Sequence, residues 1–189
     1  MPRAGLNTER VVLAGADLAD EVGLEAATLS ELARRLDVRV ASLYSHVRSS
    51  QDLRTGIALI ALEDLAERVA AALAGRSRTE ALSALGHLYR DYAREHPGRY
   101  EATRVRLDAE TADASAGRRI SQMTRAALRG YELSPTDETH AVRLLGSVFH
   151  GYISLESAGG FDHSRPDSRT SWLRILDGLD AMLTTWSGS

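Results

Sequence analysis

The chain has 189 residues, 43% hydrophobic and 26% charged, with a net charge of −3 and no cysteine. That excludes a disulfide framework, a thiolate nucleophile and cysteine-ligated zinc. No apolar run of roughly 18 residues suggests a membrane span, and the charges of the first periodic stretch (Arg10, Asp17, Asp20, Glu21) argue against a secretory leader, so a cytoplasmic location is expected.

All 23 basic residues are arginine. Residues 34–54 carry Arg34, Arg35, Arg39, Arg48 and Arg54 against Asp37 and Asp52, a local +3 that leaves −6 for the remainder. A basic island on an acidic protein suits contact with nucleic-acid phosphates, although a solvated helix face has the same composition.

Periodicity is helical nearly throughout, and breakers at Gly23, Asp37, Arg48-Ser49-Ser50, Gly75, His96-Pro97-Gly98, Ser134-Pro135 and Gly159-Gly160 mark about nine helices and an all-α fold. The first helix is expected from Thr8 to Val22, with Val11, Leu18 and Val22 on one side and Gly15 at a close helix crossing. Thr28-Leu29-Ser30-Glu31 reads as a capping box opening a short helix with Leu29, Leu32, Ala33 and Leu36 on one face. Asp37, tolerant of left-handed backbone, makes a sharp turn before a third helix over 40–47.

Ser49 and Ser50 cap a long helix carrying Leu53, Ile57, Ile60, Leu65, Val69 and Leu73. A second capping box, Ser77-Arg78-Thr79-Glu80, opens a helix with Leu82, Leu85, Tyr89 and Tyr92, ended at His96-Pro97-Gly98. A shorter segment follows over 100–107, then one with Ile120, Met123, Ala127 and Leu128. Ser134-Pro135-Thr136-Asp137 starts a helix bearing Leu145, Val148, Phe149, Tyr152 and Leu155. In the last helix Trp172, Leu176, Leu179, Leu183 and Trp186 form one apolar stripe. These elements divide into a head over residues 1–50, continued by a linking helix over 51–74, and a body over 75–189.

Two short helices joined by a tight turn and braced by a third form a unit able to present the second helix to a major groove. Leu43 and Val47, four apart, face the core, which leaves Val40, Ser42, Tyr44, Ser45 and His46 around the outer surface. Tyr44 and His46 carry donors suited to phosphate oxygens, Thr28 sits at a helix start, and Arg39 has the reach for a phosphate or a guanine edge. A purely structural role, capping the next helix, is the alternative for Tyr44 and His46.

Leu29-Ser30-Glu31-Leu32-Ala33-Arg34-Arg35-Leu36-Asp37-Val38 followed by Leu43-Tyr44-Ser45-His46-Val47 resembles the helix-turn-helix of the tetracycline-repressor (TetR) family, over about Thr8 to Leu65. The resemblance implies backbone positioning by Thr28, Tyr44 and His46 and base-edge contact by Val40, Ala41 and Ser42. Asp37 replaces the usual turn glycine and Val47 the usual phenylalanine. Ser50 replaces a lysine that contacts phosphate, and Arg39 stands where a smaller polar residue is common, as a substitute for that cation.

Residues 92–100 and Phe149-His150-Gly151-Tyr152-Ile153-Ser154-Leu155-Glu156 resemble the C-terminal domain of the WHG-type subgroup, without its tryptophan. The resemblance implies a homodimer on a double-stranded, pseudo-palindromic DNA operator, with a small-molecule effector held between body helices. Tyr89, Tyr92, His96, Tyr100, Arg104, Phe149, His150 and Tyr152 are the candidate effector residues, although a histidine or tyrosine on an apolar helix face is more often a hydrogen-bonded core residue. Val142, Leu145, Leu155, Trp172, Leu176, Leu179 and Leu183 are the candidate dimer surface, or else the chain's own core.

No H-E-x-x-H, P-loop, G-x-G-x-x-G or nucleophile elbow occurs and the histidines lack metal-ligand spacing, so neither an enzyme nor a cofactor is expected. A dimer without an effector, and an activator, remain alternatives to an effector-released repressor.

Overall fold

The computed structural model describes residues 6–186, which contain ten α-helices and no strand. These are α1 (Thr8–Val22), α2 (Leu29–Arg35), α3 (Val40–Leu43), α4 (Ser50–Leu73), α5 (Arg78–Glu95), α6 (Pro97–Ala102), α7 (Ala109–Ala114), α8 (Ala116–Leu128), α9 (Pro135–Ser157) and α10 (Ser168–Trp186). A single 3-10 turn, Arg129–Tyr131, follows α8. Two compact units form, one from the residues up to Leu65 with Glu95–Gly117, the other from Ala66–Arg94 with the residues from Arg118 onward. The first unit thus includes α6 and α7, which sequence reasoning grouped with the body.

In the first unit, Asn7 caps α1 by accepting from the Arg10 amide at 2.8 Å, and Gly23 ends it at φ 87°. Val11, Ala16, Leu18, Leu32, Leu43, Val47, Leu53 and Ile57 form a closed core. The expected crossing at Gly15 is present: a Cβ there would lie 2.9 Å from Leu53 Cδ1 and 3.3 Å from Ile57 Cδ1. Helix α6 belongs to this core through Ala102 and packs against α1. Its Gly98 lies so close that a Cβ would fall 2.1 Å from the Ala19 carbonyl carbon.

Polar contacts fix the same junction. Asp20 accepts from the Arg99 amide at 2.8 Å and from Arg99 Nη1 at 2.6 Å, while Arg99 Nη2 reaches Asp17 at 2.5 Å. His96 Nδ1 lies 3.1 Å from Asp20 Oδ2. The chain does not merely break at His96-Pro97-Gly98: Pro97 occupies the first position of α6, where its missing N–H costs nothing, and the segment expected over 100–107 starts three residues earlier.

The second unit is built around aromatic side chains. Trp172 packs against Phe149 at 5.5 Å and Tyr152 at 4.9 Å between ring centroids, and Phe149 meets Tyr89 at 5.8 Å. Gly86 admits α10, since a Cβ there would lie 2.6 Å from Leu176 Cδ2. Arg90, 4% exposed, donates twice to Glu156, at 2.8 and 2.5 Å, and once to Ser168 Oγ at 3.3 Å, joining α5, α9 and α10. The Arg90 hydrogen bonds, with a smaller contribution from the Ser168 hydroxyl and the Arg94 charge, hold the Glu156 carboxyl at a pKa of about 2. Tyr131 and Thr79 both donate to Asp180, Thr79 at 2.7 Å.

Caps decide where several helices begin. Ser134 accepts from the Asp137 amide at 3.1 Å, as expected for α9. At α5 the expected box gives way to a different start: Arg78 has φ 49° and Thr79 turns its hydroxyl to Asp180. Among the described residues, no helix is long and apolar enough to cross a membrane.

Candidate nucleic-acid interface

Helices α2 and α3 meet at a turn whose sharpness comes from Asp37, at φ 53°. The left-handed region is unfavourable for most side chains, but aspartate is among the most tolerant, so it replaces a turn glycine at modest cost. Thr28 Oγ1 accepts from the Glu31 amide at 3.2 Å, the forward half of the capping box. The reverse half is not used in that way: the Thr28 amide donates to the Ala26 carbonyl at 2.8 Å, and the Glu31 carboxylate pairs with Arg34. Because Thr28 Oγ1 accepts, its hydroxyl hydrogen remains available to an outside oxygen.

Helix α3 is shorter than sequence periodicity implies. Regular α geometry ends at Leu43, and residues 44–46 continue as a turn in which the His46 and Val47 amides, both at 2.9 Å, converge on the Leu43 carbonyl. Leu43 and Val47 are nonetheless buried as expected, so the turn keeps both anchors in the core. Ala41, Ser42, Tyr44 and Ser45 are exposed, whereas Val40 packs partly on the core and His46 is half-buried. The large Tyr44 side chain is 54% exposed. Ser45 spends its hydroxyl on the Ser42 carbonyl at 2.8 Å. The Tyr44 hydroxyl and the His46 ring have no hydrogen-bond partner among the described residues.

Ser50 is the exposed first residue of α4, and Ser49 is the cap: its Oγ accepts from the Asp52 amide at 3.0 Å while Asp52 accepts from the Arg48 amide at 2.8 Å. The sequence offered both serines as caps without choosing between them. The missed contacts are the carboxylates covering the basic island. Arg35 binds Glu21 at 2.5 and 2.7 Å, Arg54 binds Glu25 at 2.8 Å, Arg34 binds Glu31, and Arg48 lies 3.8 Å from Asp52. The Glu31–Arg34 spacing is that of helical neighbours and Arg48–Asp52 is equally local in sequence, so both are readable without the fold. The other two require the tertiary fold. Arg39, exposed at the start of α3, has no such partner among the described residues.

The candidate effector residues separate between the two units. Tyr89, Phe149 and His150 meet in the second unit, with Tyr89 5.8 Å from each ring, and burial raises the Tyr89 hydroxyl to a pKa of about 12. Tyr152 donates to the Ser168 carbonyl at 2.5 Å, and Tyr92 lies under the Arg68 guanidinium at 5.2 Å. His96, Tyr100 and Arg104 lie in the first unit, His96 at Asp20 and Arg104 over the Tyr100 ring at 5.5 Å.

Of the candidate dimer residues, Leu145, Trp172, Leu176, Leu179 and Leu183 are buried by the chain's own side chains. Val142 is half-buried and Leu155 is 56% exposed. The stripe on α10 is thus an intrachain face, packed towards α5 and α9 at Gly86 and Phe149.

A family model described as "Tetracyclin repressor-like, C-terminal domain" matches residues 82–179. The HTH-type transcriptional regulator YobS of Bacillus subtilis is 30% identical over 161 residues, covering 85% of this chain and 84% of its own. An HTH-type transcriptional regulator of Mycobacterium tuberculosis is 31% identical over 185 residues, covering 96% and 85%. Among solved structures, ActR from Streptomyces coelicolor, without ligand, shares the fold at a TM-score of 0.75 and 18% identity, over 98% of both chains. A TetR variant from Acinetobacter baumannii in complex with minocycline matches at 0.73 and 18%, over 98% of this chain and 100% of that one.

Proposed function

Because the chain belongs to the TetR family of helix-turn-helix transcriptional regulators, we propose that it acts as a two-fold dimer on a pseudo-palindromic operator and that a small molecule held in its body releases it. The observation that carries the DNA-binding part is the exposed surface of α3 and its turn. Ala41 and Ser42 are small enough for close approach to base edges, and the unpartnered donors of Tyr44 and His46 flank them. Thr28, with its free hydroxyl hydrogen, and Ser50, at the start of α4, extend the contact to phosphates. Val40, partly committed to the core, contributes shape more than a base contact.

The dimer surface we assign to the faces of α9 and α10 turned away from the core. Gly151, Ser154 and Leu155 on α9, Ala158 just after it, and Leu173, Gly178, Ala181 and Met182 on α10 are all exposed, and a Cβ built at Gly151 or Gly178 would meet no atom within 4 Å beyond its own helix backbone and chain neighbours. Small residues at such positions let helices from two copies approach closely, with the leucines and methionine supplying the apolar area.

For the effector, the supporting observation is the Trp172 Nε1, buried without an acceptor among the described residues. An unsatisfied donor of this kind costs about 1–3 kcal/mol, which an acceptor on a bound molecule would recover. Tyr152 and Phe149 are the proposed contacts that pack on the Trp172 ring, at 4.9 and 5.5 Å between centroids, with Tyr89 behind Phe149. The second reading, a body that only dimerises, draws on the tight core: the cavity lined by Leu82, Leu85, Thr124, Tyr131 and Leu145 has a volume of only ≈ 10 Å³. Thermal-shift measurement against a compound library separates the two, because a ligand of the native state raises the midpoint and a purely structural body responds to none. Selecting bound duplexes from a random pool tests the rest: an inverted repeat supports a dimer on a two-fold operator, and an asymmetric or absent consensus overturns it.

A further inference from the structure

We infer that Arg39 is the specificity-determining residue of the head and reads a guanine in each operator half-site, an inference that rests on the operator reading above. Four of the five arginines between positions 34 and 54 already face carboxylates. Arg39 alone in this stretch has no ion-pair or hydrogen-bond partner for its side chain among the described residues. Its backbone is extended, at φ −73° and ψ 142°, and its carbonyl is tied to the Ser42 amide at 2.8 Å, so the residue is fixed at the entry to α3 while its side chain stays uncommitted.

The rest of the α3 surface leaves little else for reading hydrogen-bond patterns. Ala41 and Val40 carry no polar side-chain atom, Ser45 is engaged with a carbonyl, and Ser42 has one hydroxyl, which contributes to base choice less sharply than a bidentate contact. A planar fork with two parallel N–H donors matches the O6 and N7 acceptors of guanine, the base edge that offers two acceptors side by side in the major groove. Phosphate anchoring does not need this residue, since Tyr44, His46 and Thr28 carry single donors suited to it.

The test uses the full-length chain and a duplex selected from a random pool, with each base pair of one half-site replaced in turn and affinities measured at one salt concentration. The wild type should lose roughly five- to 150-fold at one G·C pair, the range for a bidentate contact. R39A should bind the intact duplex weaker by a similar factor and be indifferent to replacement of that pair, with an unchanged thermal midpoint because the side chain is exposed and makes no cap. R39K, a point charge without the fork, should restore less than half of the discrimination. A uniform loss across all duplexes in R39A, rescued by R39K, would mark a phosphate contact and overturn the inference, as would no loss at all. Discrimination by the wild type that survives intact in R39A likewise overturns it while leaving the operator reading standing. A wild type that binds every duplex alike removes that reading and this one together.

Discussion

Replacing Glu156 by glutamine isolates one charge in the body without changing its volume. The carboxylate sits with 14% of its side chain exposed, between Arg90 at 2.5 Å and Arg94 at 3.1 Å. Its pKa falls from 4.5 to about 2, chiefly through the Arg90 hydrogen bonds. At about 1.4 kcal/mol per pH unit, that shift corresponds to roughly 3 kcal/mol of stability at pH 7. The loss of a partner for a buried guanidinium is of the same order, about 3–5 kcal/mol.

For a chain of this size each kcal/mol moves the midpoint by about 2–4 °C, so E156Q should melt roughly 6–12 °C below the wild type. The folded pKa lies below the unfolded one, so the stabilisation is complete above pH 4.5 and is lost as pH falls towards 2. Urea unfolding at pH 7 and at pH 3.5 should therefore show the gap between the two proteins narrowing by roughly 1 kcal/mol. A gap under about 1 kcal/mol at pH 7, or one that stays constant on acidification, would refute the assignment of Glu156 as the partner that stabilises Arg90.

Gly98→Ala should destabilise the first unit by about 1–3 kcal/mol or more in urea, because the added carbon meets rigid Ala19 backbone rather than a movable side chain; a change below about 0.5 kcal/mol would contradict that packing. Tyr44→Phe and His46→Ala should each weaken binding to every duplex by a similar factor, whereas Ser42→Ala should change the ranking of duplexes, both read by equilibrium binding at fixed salt. A sequence-selective loss in Y44F would reverse these roles. Leu155→Glu combined with Met182→Glu should convert the dimer to monomer in sedimentation at micromolar concentration while leaving helix content unchanged, since both side chains are exposed in the single chain.

The head was readable from sequence because its determinants are local. The Thr28 cap, the Gly15 crossing and the Leu29, Leu32, Leu43 and Val47 anchors each follow from spacings of a few residues and a single turn at Asp37. The junction of α6 with α1 was not, since it joins Asp20 to His96 and Arg99, more than seventy positions away, and depends on a glycine whose role appears only when Ala19 is placed against it. A change of helix, across only fourteen residues, likewise hid Glu21 opposite Arg35, and with it the contrast that singles out Arg39.

On α10 the apolar stripe was legible, but the sequence left its partner open between the chain's own core and a second copy. Burial against α5 and α9 of the same chain and burial against a second copy demand identical spacing, and only packing separates them. The truncation of α3 had no periodic signal either. The convergence of two amides on the Leu43 carbonyl is a tertiary compromise that keeps Val47 in the core.

The central claim is that the α2–α3 unit makes this chain a sequence-specific DNA-binding regulator. It is tested most directly by the affinity of the full-length protein for its selected duplex and for a scrambled duplex of equal length and composition, at one physiological salt concentration. The account predicts a preference of about a thousandfold or more for the selected duplex. Equal affinity for the two would contradict it.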